Sequence, residues 1–378
     1  ILLGLVVMAW ATRRLIRTMI GVVMPGESDN LSDLIFSNLQ LSKGPKVVVI
    51  GGGTGLSVML RGLKAKTYNL TAVVTVADDG GSTGRIRQDL DIIAPGDLRN
   101  CLVALADKEG LMEKLFAHRF GGSGNLTGHS FGNLFIAALI EVLGDVEEAM
   151  DATSKVLRVR GKVIPSSAEK LRLNAEMTDG RIVEGESQIP HAHGKIKRVF
   201  TTPEHPKAIQ SAVDAIQEAD AIVLGPGSLY TSIMPNLCVP DIVQAVRTSK
   251  APKIYICNVM TQPGETDDYT VSDHIRAINR QAGGKVIDFV IANNGDVDPA
   301  VLQRYVAHGS HPVMIDKKEV SQTGATLILS NLINKENSAT HDTKKLANVL
   351  FDLINALRTD LSPELLHYYL KRYTFTHR

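Results

Sequence analysis

The stretch ADDGGSTGRIR, residues 77–87, concentrates polar chemistry at a point where an apolar strand ends. It holds two carboxylates, three glycines, two hydroxyls and two guanidiniums. Few of these side chains are stable in a dry core, so packing does not explain them. A carboxylate at a strand end can hold a sugar hydroxyl, and a pair of carboxylates can hold Mg²⁺ against a phosphate. We therefore predict that Asp78 and Asp79 contact a polar ligand or Mg²⁺, within a polar loop that runs on to Asp97.

A glycine-rich turn, GGGTGLS at residues 51–57, follows another apolar strand. Glycines there let the backbone approach a ligand, and the N–H groups that open the next helix favour an anion. The turn departs from the dinucleotide fingerprint, because the third glycine of G-x-G-x-x-G would fall on Leu56. It also lacks the GK[ST] of a P-loop. The turn predicts contact with a phosphate.

Other polar clusters lie next to predicted strands and helices. GDLRN (96–100) offers Asp97 as a helix N-cap and Arg99 as a phosphate partner. GHSFGN (128–133) opens an apolar helix, and GPGSLYTS (225–232) is a second glycine-rich candidate for anion binding. The contacts predicted in these clusters and at neighbouring strand ends are Ser82, Thr83, Arg85, Arg99, Asn133, Gly225, Gly227, Ser228, Asn258 and Asn293.

Several other types of site are disfavoured. His191 and His193 form an HxH pair, but no third metal ligand follows at a recognisable spacing. No GxSxG elbow is present. The three cysteines, Cys101, Cys238 and Cys257, fit neither a disulfide framework nor a zinc ribbon, which favours a reduced, intracellular protein.

The elements that must position these residues alternate between apolar strands and helices. Strands are predicted at 46–50, 70–76, 221–224, 253–257 and 286–292. Continuous apolar runs alternating with helical segments indicate a doubly wound, mostly parallel α/β sheet. The carboxyl ends of parallel strands share one edge, so the polar clusters should converge on a ligand with phosphates and sugar hydroxyls. Residues 155–200 alternate with period two and predict an antiparallel β insertion.

The chain divides into a segment over residues 1–43, with a linker near 25–45, and a main domain over residues 44–378. Its opening, ILLGLVVMAWATRRLIR, is shorter than the roughly 20 apolar residues of a spanning helix. With further residues upstream it would be the end of a membrane helix that tethers a cytoplasmic domain; otherwise it is a packed or amphipathic helix. The 41 basic residues scarcely exceed the 40 acidic ones, which argues against nucleic-acid binding.

Several long motifs resemble the YvcK branch of the CofD-like family, whose members are often labelled gluconeogenesis factors. The resemblance runs from about Lys46 to Phe351 and leaves the first 43 residues outside. The motifs, in chain order, are GGGTGLSVMLRGLK, TVADDGGSTGRIR, GDLRNCLVAL, GHSFGNLFIAAL, GPGSLYTSIMPNL, CNVMTQPGETDDYTVSDHI and THDTKKLA.

The resemblance implies a Rossmann-like domain that binds a UDP-sugar, in particular UDP-N-acetylglucosamine. It also implies a regulatory role in cell shape and wall growth when carbon comes through gluconeogenesis. By matching position, Gly52, Gly53, Thr54 and Gly55 would hold phosphate, and Asp78 or Asp79 would face Mg²⁺ or sugar. Partners in cell-wall synthesis or carbon regulation and a homo-oligomeric assembly are expected.

Three further positions take their interpretation from this branch. Tyr305 matches a tyrosine that lines the nucleotide pocket, although a half-buried core tyrosine is the simpler explanation. Thr340 stands where the branch often has an arginine, which removes a charge partner for the ligand. Thr343 matches a position that is phosphorylated in some relatives.

Two other functions remain open from sequence. A cousin in the family moves a phospholactyl group from a guanosine diphosphate carrier, so a nucleotide-dependent transferase is the alternative to a regulator. Mg²⁺ on Asp78 or Asp79 would then stabilise the diphosphate leaving group. An NAD(P) dehydrogenase is disfavoured by the interrupted glycine fingerprint.

Overall fold

The computed structural model of the protein describes residues 2–23, 38–107, 110–334 and 338–359. Contacts divide the chain into two compact units, Ile1–Gly44 and Pro45–Arg378. Residues 24–37, which hold most of the predicted linker, lie outside the described residues. Among the residues that the structure describes, no helix combines the length and the apolar character needed to cross a membrane.

Ten strands occur in the described residues, and seven of them form one parallel sheet in the order β10-β9-β8-β7-β1-β2-β3. Every residue of Val47–Gly51 is buried, as a strand covered on both faces requires. The strands are β1 Val47–Gly51, β2 Leu70–Val74, β3 Lys162–Pro165, β4 Arg172–Met177, β5 Ile182–Glu184, β6 Ile196–Thr202, β7 Ala221–Leu224, β8 Lys253–Ile256, β9 Phe289–Asn293 and β10 Thr326–Ser330. The predicted doubly wound α/β fold is confirmed.

Helices connect these strands. They are α1 Leu2–Val23, α2 Gly53–Leu63, α3 Gly81–Leu90, α4 Gly96–Leu105, α5 Gly110–Ala117, α6 Phe131–Leu143, α7 Val146–Val156, α8 Gln210–Gln217, α9 Met234–Leu237, α10 Pro240–Thr248, α11 Val271–Gln281, α12 Pro299–Val306, α13 Lys317–Gln322 and α14 Thr343–Arg358. The polar loop predicted up to Asp97 is instead largely helical, because α3 places three of its candidates, Ser82, Thr83 and Arg85, on a helix.

The predicted insertion forms a small antiparallel sheet of order β5-β4-β6. It begins later than the predicted residue 155, because β3 pairs in parallel with β2 as the edge strand of the main sheet. Its β5–β6 connection carries a short 3₁₀ helix, Glu186–His191. The insertion therefore brings one polar turn back to the main domain.

The chain reverses its direction of travel across the sheet beside β1. Strands β2 and β3 extend the sheet on one side of β1, and β7 to β10 extend it on the other. Loops that leave β1 and β7 consequently diverge and open a crevice at their carboxyl ends, where open α/β sheets bind ligands.

Candidate functional site

A cleft of about 850 Å³ lies at this crevice, within the size range of small-molecule sites. Loops after β1, β7 and β8 form much of its wall, together with α12 and the approach to α14. The predicted ligand contacts that line it are Gly53, Thr54, Gly55, Gly227, Ser228, Asn258 and Tyr305. The structure thus brings together residues separated by some 250 positions in sequence.

The two glycine-rich loops touch at the floor of the cleft. A Cβ built on Gly55 would lie 2.9 Å from the carbonyl oxygen of Pro226 and 3.2 Å from the nitrogen of Gly227. Gly53 and Gly225 also have φ of +69° and +78°, a region that favours glycine. Glycine is required here both for close approach and for backbone conformation.

Asp97 holds the first glycine loop through a hydrogen bond. Its Oδ2 accepts a hydrogen bond of 2.7 Å from the backbone N–H of Gly53. The prediction that Asp97 is an N-cap is wrong, because α4 is capped at Pro95 and the Asp97 side chain crosses to the loop instead. Since Gly53 is bonded to Asp97, the donors left for an anion in the first turn of α2 are the N–H groups of Thr54 and Gly55.

A π-helical turn, Leu229–Ile233, follows the second glycine loop. The buried Asn236 side chain ties this turn to β1, since its Nδ2 donates to the carbonyls of Gly51 and Ser232 at 3.1 and 2.9 Å. Glu265 holds the same turn through Thr231 Oγ1 at 3.1 Å. Burial raises the pKa of Glu265 to about 7, and its hydrogen bonds with the turn oppose that shift. π-Helical turns are frequent at functional sites.

Asp78 and Asp79 have different partners. Asp78 Oδ1 accepts from its own loop at Gly80 N, 2.9 Å away. Asp79 Oδ1 accepts from Ser187 N at 2.9 Å and so anchors the 3₁₀ helix of the insertion. That anchorage delivers Glu186 to the cleft lining, a residue that sequence reasoning missed.

Glu186 lies in an acidic environment. Burial, with the charges of Asp78, Asp97 and Asp79, raises its pKa to about 9. Burial and Asp78 likewise raise the pKa of Asp97 to about 6. A cation beside these carboxyls would lower both pKa values by favouring the charged forms.

The acidic side chains fit Mg²⁺ only together with a ligand. Among the described residues no group of three or more His, Cys, Asp or Glu is placed to hold a metal by itself. Mg²⁺ usually takes one or two carboxylates and completes its shell with water and substrate phosphates. Glu186 lines the cleft, and Asp78, which lies outside the lining, acts on it through its charge; both carry oxygens of the kind that such a shared site uses.

The other predicted contacts on α3, α4 and α6 belong to a hydrogen-bonded cluster outside the cleft lining. The buried Arg99 donates to Ser130 Oγ at 2.8 Å and to Asn100 Oδ1 at 2.6 Å. Asn133 donates to Ser82 and Thr83, at 3.4 and 3.5 Å. Arg85 donates to the Thr127 carbonyl at 2.9 Å. These contacts pack the helices around the Asp78 loop.

Five other predicted positions also lie outside the lining, namely Asp78 and Asp79, whose partners are given above, and Gly52, Gly225 and Asn293. Gly52 is extended and precedes α2, where a Cβ would lie 2.5 Å from Asp97 Oδ2. A Cβ on Gly225 would lie 2.9 Å from Ile233 Cδ1 and 3.3 Å from the carbonyl oxygen of Ile256. Asn293 closes the loop after β9, since its Oδ1 accepts from Gly295 N and Leu332 N at 3.1 and 2.9 Å.

One wall of the cleft, formed by the loop after β8, α12 and the segment before α14, is partly apolar. Val259, Met260 and Ala339 belong to a small buried cluster against which Tyr305 packs. Thr340 and His341 complete this wall. Burial lowers the pKa of His341 to about 4, and its ring is hydrogen-bonded to the backbone of Cys257. The other ring nitrogen, Nε2, is buried without a partner.

Sequence reasoning missed Glu186, Gln262 and His341 as lining residues. Gln262 and His341 fall in motifs that were recognised, QPGET and THDTKKLA, so their proximity to predicted strand ends was a usable signal. No local pattern marks Glu186. Thr343, by contrast, opens α14 beside Gly62 of α2.

Comparison with known proteins agrees with this architecture. The family model described as 2-phospho-L-lactate transferase CofD matches residues 47–333. The "Gluconeogenesis factor" of Bacillus subtilis is 50% identical over 311 residues, which cover 82% of this chain and 98% of the relative. A protein of Nostoc sp. whose name also refers to a gluconeogenesis factor is 50% identical over 353 residues, 93% of this chain and 77% of its own length.

A solved structure gives the same fold. The crystal structure of a protein from Bacillus halodurans has a TM-score of 0.80 and 48% identity, and the match covers 82% of this chain and 99% of that one. The chain therefore belongs to the CofD family and, within it, to the branch of the gluconeogenesis factors.

Proposed function

We propose that this protein is a UDP-sugar-binding regulator, with UDP-N-acetylglucosamine as the leading ligand. One observation carries the proposal: a single cleft at the switch point joins two glycine-rich loops to a partly apolar wall that includes a tyrosine. The glycine-rich loops suit the diphosphate of a ligand, and the apolar wall with its tyrosine suits a flat base. The names of the relatives support a role in gluconeogenic growth, and we extend it to cell shape and wall synthesis.

The glycine loops supply the diphosphate contacts in this proposal. The N–H groups of Thr54 and Gly55 open α2, whose dipole favours negative charge at that end. Gly227 and Ser228 face them from the second loop. The acidic Asp78 and Glu186 would repel a bare diphosphate, so Mg²⁺ shared between them and the phosphates is part of the proposal.

Tyr305 and His341 supply the nucleoside contacts. A base that stacks on Tyr305 buries its faces against the apolar wall. The unpartnered Nε2 of the neutral His341 is an acceptor, because the other ring nitrogen is bonded to the Cys257 backbone. An N–H or O–H of the nucleoside would satisfy it.

A transferase is the alternative function. The family model carries a transferase's name, and raised carboxyl pKa values are typical of active sites. Mg²⁺ held by Asp78 and Glu186 would neutralise charge on a diphosphate leaving group. The described residues offer no evident acceptor site beside the nucleotide cleft, which favours the regulator.

Thermal unfolding with UDP-N-acetylglucosamine, UDP, GDP and NADH, each with and without Mg²⁺, tests the proposal. Ligand at about 100 times its dissociation constant should add about 2.7 kcal/mol of stability. The UDP-sugar should stabilise the wild-type protein and the Tyr68→Ala control, since Tyr68 lies at the opposite edge of the sheet. It should stabilise Tyr305→Ala much less.

Mass spectrometry of the incubated ligands separates the two functions. An unchanged UDP-sugar supports the regulator. Consumption of a nucleotide-linked substrate that is lost in Asp78→Asn would place the transferase first. Equal stabilisation by all four compounds, or by none, would contradict both.

A further inference from the structure

A chain of hydrogen-bonded side chains links the loops after β7 and β8. Gln262 Nε2 donates to Ser228 Oγ at 2.6 Å, and Asn258 Nδ2 donates to Gln262 Oε1 at 3.2 Å. All three residues line the cleft. The second glycine loop is therefore tied to the neighbouring loop at the point where it meets a ligand.

The backbone of Gln262 is held from behind. Its N–H donates to Thr266 Oγ1 at 2.9 Å. Its carbonyl accepts from the N–H groups of Glu265 and Thr266, at 3.0 and 2.9 Å. The side chain thus leaves a braced turn and reaches Ser228.

The direction of these bonds fixes the role of Ser228. An amide has one end that donates and one that accepts, and Asn258 occupies the accepting end of Gln262. In this arrangement Ser228 accepts from Gln262, which leaves the serine hydroxyl hydrogen to donate elsewhere. Ser228 precedes the π-helical turn without capping it through its side chain, so its oxygen accepts no backbone N–H of that turn.

We propose that Gln262 is a positioning residue that aims the Ser228 hydroxyl as a donor at a phosphate of the bound nucleoside diphosphate. This inference rests on the proposed function. Ser228 is adjacent to Gly227, so its hydroxyl adds a side-chain donor to the backbone donors of the glycine loops. Asn258 binds the accepting end of the Gln262 amide and so favours this orientation.

Two substitutions at Gln262 test the direction of the bond. Gln262→Glu keeps the shape but accepts only, so the serine hydrogen turns to the carboxylate and affinity for UDP-sugar should fall about 100-fold. Gln262→Met keeps length without a hydrogen bond and should cost about 10-fold. Gln244→Glu, on the exposed face of α10, adds the same charge outside the cleft and should change affinity by less than about 2-fold.

A mutant cycle with Ser228→Ala separates positioning from general structure. In that background Gln262→Met should weaken UDP binding by less than about 2-fold, because the hydroxyl it aims is gone. Binding of uridine, which has no phosphate, should be unchanged in all Gln262 variants. Calorimetry and competition give these affinities, and urea unfolding confirms that each variant is folded.

The outcomes are distinct. Additive effects of Gln262→Met and Ser228→Ala, or equal losses for UDP and uridine, would overturn the inference while leaving the proposed function standing. A wild-type protein that binds no UDP-sugar or UDP would overturn the proposed function and this inference with it.

Discussion

Gly55 is the residue at which the two glycine loops approach each other most closely. Its missing side chain leaves room for the carbonyl of Pro226 and the nitrogen of Gly227, both of them backbone atoms that cannot rotate away. The glycine is therefore needed for the shape of the cleft floor and not only for the conformation of its own residue.

We predict that Gly55→Ala separates the loops and weakens UDP-sugar binding by more than about 10-fold, since a misplaced phosphate loop loses several hydrogen bonds at once. Gly110→Ala is the control, because a Cβ there meets nothing within 4 Å. Calorimetric affinities of the two variants check the prediction. Equal affinities would contradict a tight contact between the loops.

Carboxyls with raised pKa values make stability depend on pH. The pKa values of Asp97, Glu265 and Glu186 are raised to about 6, 7 and 9, chiefly by burial. In the unfolded chain such groups lose their protons near pH 4. Between that pH and each raised pKa the folded state binds more protons, so the free energy of unfolding falls as pH rises.

For Glu186→Gln we therefore predict a smaller fall in stability between pH 5 and 9 than in the wild-type protein. The difference in the free energy of unfolding between Glu186→Gln and the wild-type protein should be near zero at pH 4 and should grow until about pH 9. Urea unfolding across this range measures it, with the exposed Glu204→Gln as control. Parallel curves for wild type and Glu186→Gln would show that Glu186 is not responsible.

At the scale of elements, two contacts hold the antiparallel insertion against the main domain. Asp79 binds the Ser187 N–H, and the backbone of Gly264 packs tightly against the Pro190 carbonyl. These two contacts hold the 3₁₀ helix that carries Glu186. The acidic tip of β2 thus has a structural role in addition to its proposed place near the ligand.

Asp79→Ala should release this helix, so hydrogen exchange over residues 186–191 should quicken by about 10-fold, the equivalent of one lost hydrogen bond to a charged group. Ser187→Ala is a matched control, because the bond uses its backbone N–H and survives the change. Exchange that is equally fast in both variants, or unchanged in both, would contradict the assignment.

The π-helical turn depends on one buried amide. Asn236→Asp removes the side-chain donors to Gly51 and Ser232 while keeping the volume, and it places carboxylate oxygens against these carbonyls. We predict a loss of about 2–3 kcal/mol in the free energy of unfolding. Urea titration should show this loss, and Asn294→Asp at an exposed position should change stability by less than about 0.5 kcal/mol.

At the scale of the whole molecule, strand order creates the cleft. Because β1 lies between β2 and β7, the loops that follow β1 and β7 leave in different directions and open a space between them. The antiparallel insertion then covers that space with Glu186 from one side. Sheet topology and insertion together bring the two glycine-rich loops, Glu186 and a tyrosine to one rim.

If Mg²⁺ is shared between the protein and the ligand, the two should bind cooperatively. We predict that Mg²⁺ alone raises stability little, whereas Mg²⁺ with UDP-sugar raises it by more than the sum of the separate effects. Thermal unfolding of the wild-type protein and of Asp78→Asn over a Mg²⁺ series measures this. Additive effects in the wild-type protein would argue against a shared metal.

The sequence by itself determined the parallel α/β sheet, the antiparallel insertion and the two glycine loops. Continuous apolar runs such as Val47–Gly51 are stable only when both faces are covered, and glycine between a strand and a helix has few local explanations other than geometry or a ligand. The helix at Gly81–Leu90 was missed because its apolar content is too low for a periodic pattern.

Only the tertiary structure decided which polar residues meet in the cleft. Asp97 crosses to Gly53, Asp79 turns to the insertion and Arg99 pairs with Ser130, although the polar clusters that contain them were expected to converge on one ligand. Glu186 reaches the cleft from an insertion more than a hundred residues away from the loop that anchors it. Local pattern fixes which segments become strands and helices, whereas the partner of each polar side chain depends on long-range packing that no short stretch of sequence contains.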